Sequence, residues 1–276
     1  MKTRILTAIL ILAVTIPTFI FSGYIVYPIV LSLLSVVSVY ELLRVLGFGK
    51  NAVIAVPSYV LAFGLPLSAY FASGNTSEYF LICSAFVYAY MLYLFMLAVL
   101  SKGKIKFSQL AKVFCAIAYV ALAFASLSVI RYIENGAYCF GIVFICSWVS
   151  DVCALFAGTL FGKHKLIPEI SPKKTVEGLI GGVVFGTLAM LLYGFILDMV
   201  VDTITVNYLM LGAMGLVLSL IAQVGDLIAS TIKREEGVKD YGSLLPGHGG
   251  ITDRFDSVYA ISLLTLIICV IFPPIV

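Results

Sequence analysis

Residues 230–256 read Ser-Thr-Ile-Lys-Arg-Glu-Glu-Gly-Val-Lys-Asp-Tyr-Gly-Ser-Leu-Leu-Pro-Gly-His-Gly-Gly-Ile-Thr-Asp-Arg-Phe-Asp, the richest run of chemically capable side chains in the sequence. Asp253 and Asp256 stand three apart at the expected start of a helix. Both therefore project to one face, where the helix dipole favours negative charge. With Asp226 on the preceding helix they could supply three oxygen ligands from two helices. Hard oxygen donors with no Cys or His partner suit Mg2+, which usually binds substrate phosphate as well. Lys233, Arg234, Lys239, His248 and Arg254 surround them, and Gly247, Gly249 and Gly250 could let backbone N–H groups approach a phosphate. Acid cluster, basic ring and glycine loop together are what a metal–triphosphate complex requires, because charge that builds during transfer must be held and neutralised.

Two carboxylates fall inside apolar runs. Asp151 and Asp226 have no basic residue one turn away on their own helices, and an intramembrane charge marks function unless it is paired off. Each belongs to a polar stripe at helical spacing: Ser147, Asp151, Ala154 and Gly158 in one, Ser219, Gln223, Asp226, Ser230 and Lys233 in the other. Two such stripes suggest a shared wet cavity opening to one side. Taken singly, the residues have plainer explanations. Loop lysines follow topology, Glu235 and Glu236 form a solvated face, His248 orders its loop, and Asp253 caps a helix. Capping needs one carboxylate, however, and not three. Gly158 to Lys163 misses the P-loop spacing by one residue and has His164 in place of Ser/Thr, and neither G-x-S-x-G nor H-E-x-x-H occurs.

The elements that must position these groups are membrane spans. Hydrophobic residues make up 62% of the 276 and charged residues 11%, about half the charge fraction of a soluble domain. Runs of about 20 apolar residues, the length that crosses a bilayer, occur at 5–21, 24–43, 53–73, 79–100, 110–130, 138–160, 176–198, 207–231 and 254–272. The first follows Lys2 and Arg4 and imitates a signal peptide, but Phe21 spoils the cleavage pattern, so it reads as a retained span. With the N-terminus cytoplasmic, every one of the 17 basic residues except Arg131 falls on the inside, as the positive-inside rule demands. The expectation is an all-α polytopic membrane protein of about nine transmembrane helices, N-terminus cytoplasmic and C-terminus outside. Residues 1–135 supply N-terminal helices. Residues 136–276 supply C-terminal helices and the cytoplasmic loops that carry the site. Net charge of +3 gives no reason to expect nucleic acid. The six cysteines lie in apolar stretches without C-x-x-C or nearby His, as packing residues do. Gly178, Gly182 and Gly186, and Gly158 with Gly162, mark close helix packing, a seam also compatible with a homodimer.

Ser230 to Asp256 fits S-x-I-K-R-x4-K-D-x-G-x2-L-P-x-H-G-G-I-x-D-R-F-D, which resembles the signature of the phosphatidate cytidylyltransferase (CDP-diacylglycerol synthase) family without departure. Ser150-Asp151, Phe161 to Lys165 and Ser171 to Gly178 look like the same family, while the N-terminal spans match only in character. The resemblance implies CTP and phosphatidic acid as substrates, CDP-diacylglycerol and pyrophosphate as products, and Mg2+ with room for a second cation. By the resemblance, Asp226, Asp253 and Asp256 are the metal carboxylates, with Lys233 and Arg234 beside them in catalysis. Lys173, Lys174, Ser230, Lys239, Asp240, His248, Gly249, Gly250, Arg254 and Asp151 are expected around the substrates. The site is expected at the cytoplasmic face of the cell membrane, where lipid arrives from the bilayer and nucleotide from the cytoplasm.

Other readings compete. A CTP-dependent lipid kinase would move the γ-phosphoryl group to a lipid alcohol, and the full signature disfavours it. An ion-coupled transporter would use Asp151 and Asp226 as cation ligands, but the repeated halves common in transporters are missing. A CDP-alcohol phosphotransferase would show D-G-x2-A-R, which is absent.

Overall fold

The computed structural model of the chain describes residues 22–72, 75–245, 247 and 249–276. Among these, eight helical spans are long and apolar enough to cross a membrane. They are α1 (Val26–Val45), α2 (Ala52–Phe71), α3 (Thr76–Leu100), α4 (Phe107–Ile130), α5 and α6 joined as one span, α7 (Val176–Val200), α8 (Tyr208–Glu235) and α9 (Thr252–Ile271). They coincide with eight expected spans, no end differing by more than four residues. The remaining expected span, 5–21, lies outside the described residues, as do Lys2, Arg4 and His248.

Two compact units make up the chain. The first comprises residues Met1–Tyr132 and Glu236–Arg254, and the second Ile133–Glu235 and Phe255–Val276. Residues 236–254 thus belong with the N-terminal helices, although they lie in the C-terminal half of the sequence.

In the first unit α4 is the most enclosed of the described spans. It packs with α1 and α2, and its Val113, Ile117, Val120, Phe124 and Leu127 are buried. Tyr27 of α1 donates its hydroxyl to the Leu127 carbonyl at 2.8 Å. Pro57 inside α2 has no N–H to donate to the Val53 carbonyl, and the Tyr93 hydroxyl of α3 donates there instead at 2.6 Å. A proline is tolerated in a span when a neighbour satisfies the freed carbonyl in this way.

The second unit departs from the expected plain helices in two places. The span 136–161 is α5 (Gly136–Phe144) and α6 (Ser150–Phe161) joined by a π-helical turn, Ile145–Val149. Its extra residue per turn shifts the register between Cys146 and Cys153. Cys139 and Cys146 are buried while Cys153 is only partly so. The expected loop 161–175 contains an antiparallel hairpin, β1 (Lys165–Ile167) and β2 (Ser171–Thr175), which pairs Lys165 with Thr175. Thr175 then caps α7 by accepting the Gly178 N–H at 3.1 Å.

The glycine stripe of α7 meets both polar stripes. A Cβ on Gly182 would lie 2.7 Å from Gln223 Nε2 and 2.9 Å from Ala154 Cβ, one on Gly178 would lie 3.2 Å from Gly158 Cα, and one on Gly186 would lie 3.1 Å from Ser219 Cβ. Gln223 also donates to the Leu179 carbonyl at 3.1 Å. The upper parts of the stripes therefore serve helix packing and fill the glycine seam from within the chain.

Candidate functional site

The second unit gathers three of the expected carboxylates. Asp151 lies in the first turn of α6, Asp226 lies two turns before the end of α8, and Asp256 sits in the first turns of α9. Their approach is set by a glycine that sequence reading passed over. At Gly225 a Cβ would lie 2.9 Å from the Asp256 carbonyl oxygen and 3.2 Å from Ser257 Cα, so α8 crosses α9 there with only hydrogen between the backbones. Asp256 is 8% exposed, and the charges of Asp226, Asp151 and Lys233 all act on it. Ser257 links the set, donating its hydroxyl to Asp151 Oδ2 at 2.8 Å while its N–H donates to Asp256 Oδ1 at 2.9 Å.

Lys174 reaches this set from β2. Its ammonium is ion-paired with Asp226 Oδ2 and donates to the Gln223 carbonyl at 3.2 Å. The hairpin that delivers it is tied to the start of α7. Glu177 accepts the His164 N–H at 3.2 Å and meets His164 Nδ1 at 2.7 Å, and the Val176 N–H donates to the His164 carbonyl at 2.9 Å. Lys173, its neighbour on an extended strand, is exposed on the other side. Arg234 is exposed and donates to the Ile170 carbonyl in the hairpin turn at 3.3 Å, and Ser230 is buried one turn before it.

Among the described residues no three His, Cys, Asp or Glu side chains form a ready-made ion cage. The donor chemistry nevertheless fits a hard divalent cation. Asp151, Asp226 and Asp256 offer only oxygen, one of them is deeply buried, and an ammonium already stands against Asp226 as a cation would.

In the first unit the remaining candidates are arranged otherwise. Asp253 is 8% exposed, and its Oδ2 accepts the Tyr241 N–H at 2.8 Å and the Gly250 N–H at 3.0 Å. The Ile251 and Thr252 N–H groups donate to Glu41 at 3.0 and 2.9 Å. The Gly250 amide, one of those considered for a phosphate, thus faces a protein carboxylate, as do the Ile251 and Thr252 amides that follow it. An anionic side chain satisfies the orphan donors of a helix N-terminus as well as a phosphate does. Gly249 adopts φ +84°, a conformation that favours glycine, and bridges to Leu245. Lys239, Asp240 and Arg254 are exposed.

Glu41 escaped the sequence reading. It lies near the end of an expected span, where a charge reads as a boundary, yet it is only 3% exposed. A lone carboxylate four residues inside the end of α1 was the available signal.

Comparison with known proteins matches residues 2–272 to the model of the cytidylyltransferase family. A phosphatidate cytidylyltransferase of Staphylococcus haemolyticus is 34% identical over 274 residues, covering 97% of this chain and 99% of the relative. Those of Staphylococcus saprophyticus and Staphylococcus aureus are 35% and 34% identical with the same coverage.

Proposed function

The chain belongs to the cytidylyltransferase family, and from that premise we propose that it converts CTP and phosphatidic acid into CDP-diacylglycerol and pyrophosphate. One structural observation carries the reading furthest. Asp256 is buried within electrostatic reach of Asp226 and Asp151, with Lys174 standing against Asp226. Such a group answers to a cation and, through it, to phosphate.

A phosphatidate oxygen attacks the α-phosphorus of CTP in line. The new P–O bond forms as the bond to the β-phosphate bridging oxygen breaks, and pyrophosphate leaves with the electron pair. The nucleophile is already anionic at neutral pH, so the residues position and neutralise more than they move protons. Asp226, Asp253 and Asp256 would hold Mg2+, with Asp151 available to a second cation. When bound, Mg2+ supplies Lewis-acid neutralisation of phosphate oxygens. Lys174, paired with Asp226, would offer its ammonium to a phosphate, together with Lys173, Lys233, Arg234, Lys239 and Arg254. Ser230, Asp240, His248, Gly249 and Gly250 shape the substrate surroundings. The positive-inside pattern supports the cytoplasmic face of the cell membrane as the side of this chemistry, where lipid headgroup and nucleotide would meet.

The test is label transfer by the detergent-purified chain with phosphatidic acid and Mg2+. Label from α-labelled CTP is expected in the lipid, and label from γ-labelled CTP in pyrophosphate. Label in the lipid from γ-labelled CTP alone would make the chain a lipid kinase, and none from either would end the assignment.

A further inference from the structure

Helix α1 grips the signature loop by its backbone. Glu41 Oε1 accepts the Ile251 N–H at 3.0 Å and Oε2 the Thr252 N–H at 2.9 Å, across more than 200 residues of sequence. These are the first donors of α9, which no carbonyl of that helix can satisfy. Three residues earlier, the Ser38 carbonyl accepts from Thr252 Oγ1 at 3.4 Å. Three residues later, Arg44 donates Nη2 to the Tyr241 carbonyl at 2.7 Å. One face of α1 thus holds both ends of the loop 241–252. Asp253 accepts the Tyr241 N–H and Arg44 donates to the Tyr241 carbonyl, so the clamp and the carboxylate share one residue. Gly242 and Gly250 are the loop's answer to this approach, since a Cβ on either would run into the Glu41 carboxylate.

A carboxylate buried in a span is expensive, and an apolar side chain there would pack at less cost. Its charge-assisted bonds are shorter and stiffer than neutral ones, which suits a group that must fix geometry. We propose that Glu41, seconded by Arg44, is a positioning residue for cytidylyl transfer: it fixes the loop backbone that aims Asp253. This rests on the functional reading above and on Asp253 belonging to the reacting site.

Wild type, Glu41→Gln and Glu41→Asp are compared in detergent by three readouts: melting, amide hydrogen exchange and turnover of α-labelled CTP. In Glu41→Gln, exchange across 241–253 is expected to quicken by about tenfold or more while α4 keeps its protection. Its kcat should fall by about 30- to 100-fold, with KM for both substrates within about threefold, as misplacement of a reacting group predicts. Glu41→Asp keeps the charge and loses reach, and should recover part of kcat. If Glu41→Gln does not fold, Arg44→Lys carries the same measurements, since lysine cannot reproduce the guanidinium's reach to Tyr241. Unchanged exchange in the loop overturns the clamp, and so does protection lost equally across every helix. Exchange is read without turnover. A wild type that labels no lipid therefore sinks the functional reading alone, and an active wild type with an unaffected Glu41→Gln sinks the clamp alone.

Discussion

Two groups of carboxylates, one in each unit, are used in opposite ways. In the first unit Glu41 and Asp253 are matched to backbone amides. In the second unit Asp151, Asp226 and Asp256 have each other, a serine and lysines. Amides fix a carboxylate's direction, and on Asp253 both of them fall on Oδ2. Carboxylates set against one another leave a demand for positive charge that a cation or a lysine must meet. The same residue type therefore builds a scaffold in one place and a binding surface in the other.

The widest test of that contrast pairs Asp226→Asn with Asp253→Asn. Asp226→Asn should cut lipid labelling by about 1,000-fold, with melting moved by no more than about a few degrees, because it removes a ligand and not a strut. Asp253→Asn should lose comparable activity and also quicken amide exchange across 241–250. If both variants leave exchange unchanged, the division into scaffold and surface fails. Lys174→Met comes next. Labelling should fall by about 100-fold, in keeping with loss of one group that stabilises developing charge. Near-normal turnover would make the Lys174–Asp226 pair an idle contact.

Gly225→Val tests what brings the second group together. Its side chain would meet the Asp256 carbonyl and Ser257 Cα, an overpacking worth about 1–3 kcal/mol, visible as a lower melting temperature together with reduced activity. Full stability and activity would show that α8 and α9 need not approach there. The smallest effect is expected at Lys239→Ala. This exposed cation should raise KM for CTP by about two- to fivefold, more at low salt than at high, as screening of an exposed charge requires.

The sequence alone determined the eight described spans, their order and the signature, and it named most of the site candidates. Hydropathy and charge are local properties, summed over a window the length of a helix, so reading them requires no knowledge of partners. Thus α7 was legible from its apolar run and its Gly178, Gly182 and Gly186 spacing. The π turn was not, because one extra residue within an apolar run leaves hydropathy unchanged while rotating everything after it. Nor was the hairpin, whose alternation is too short to stand out among polar loop residues. Only the tertiary structure decided which carboxylate meets an amide and which meets a lysine. Asp253 read equally well as a cap or a ligand, and Glu41 read as the edge of a span. What distinguishes them is the partner each buried charge finds, and for Glu41 that partner lies 210 residues away. A buried ion's energy is dominated by those few contacts, and no pattern along the chain encodes them before the helices pack.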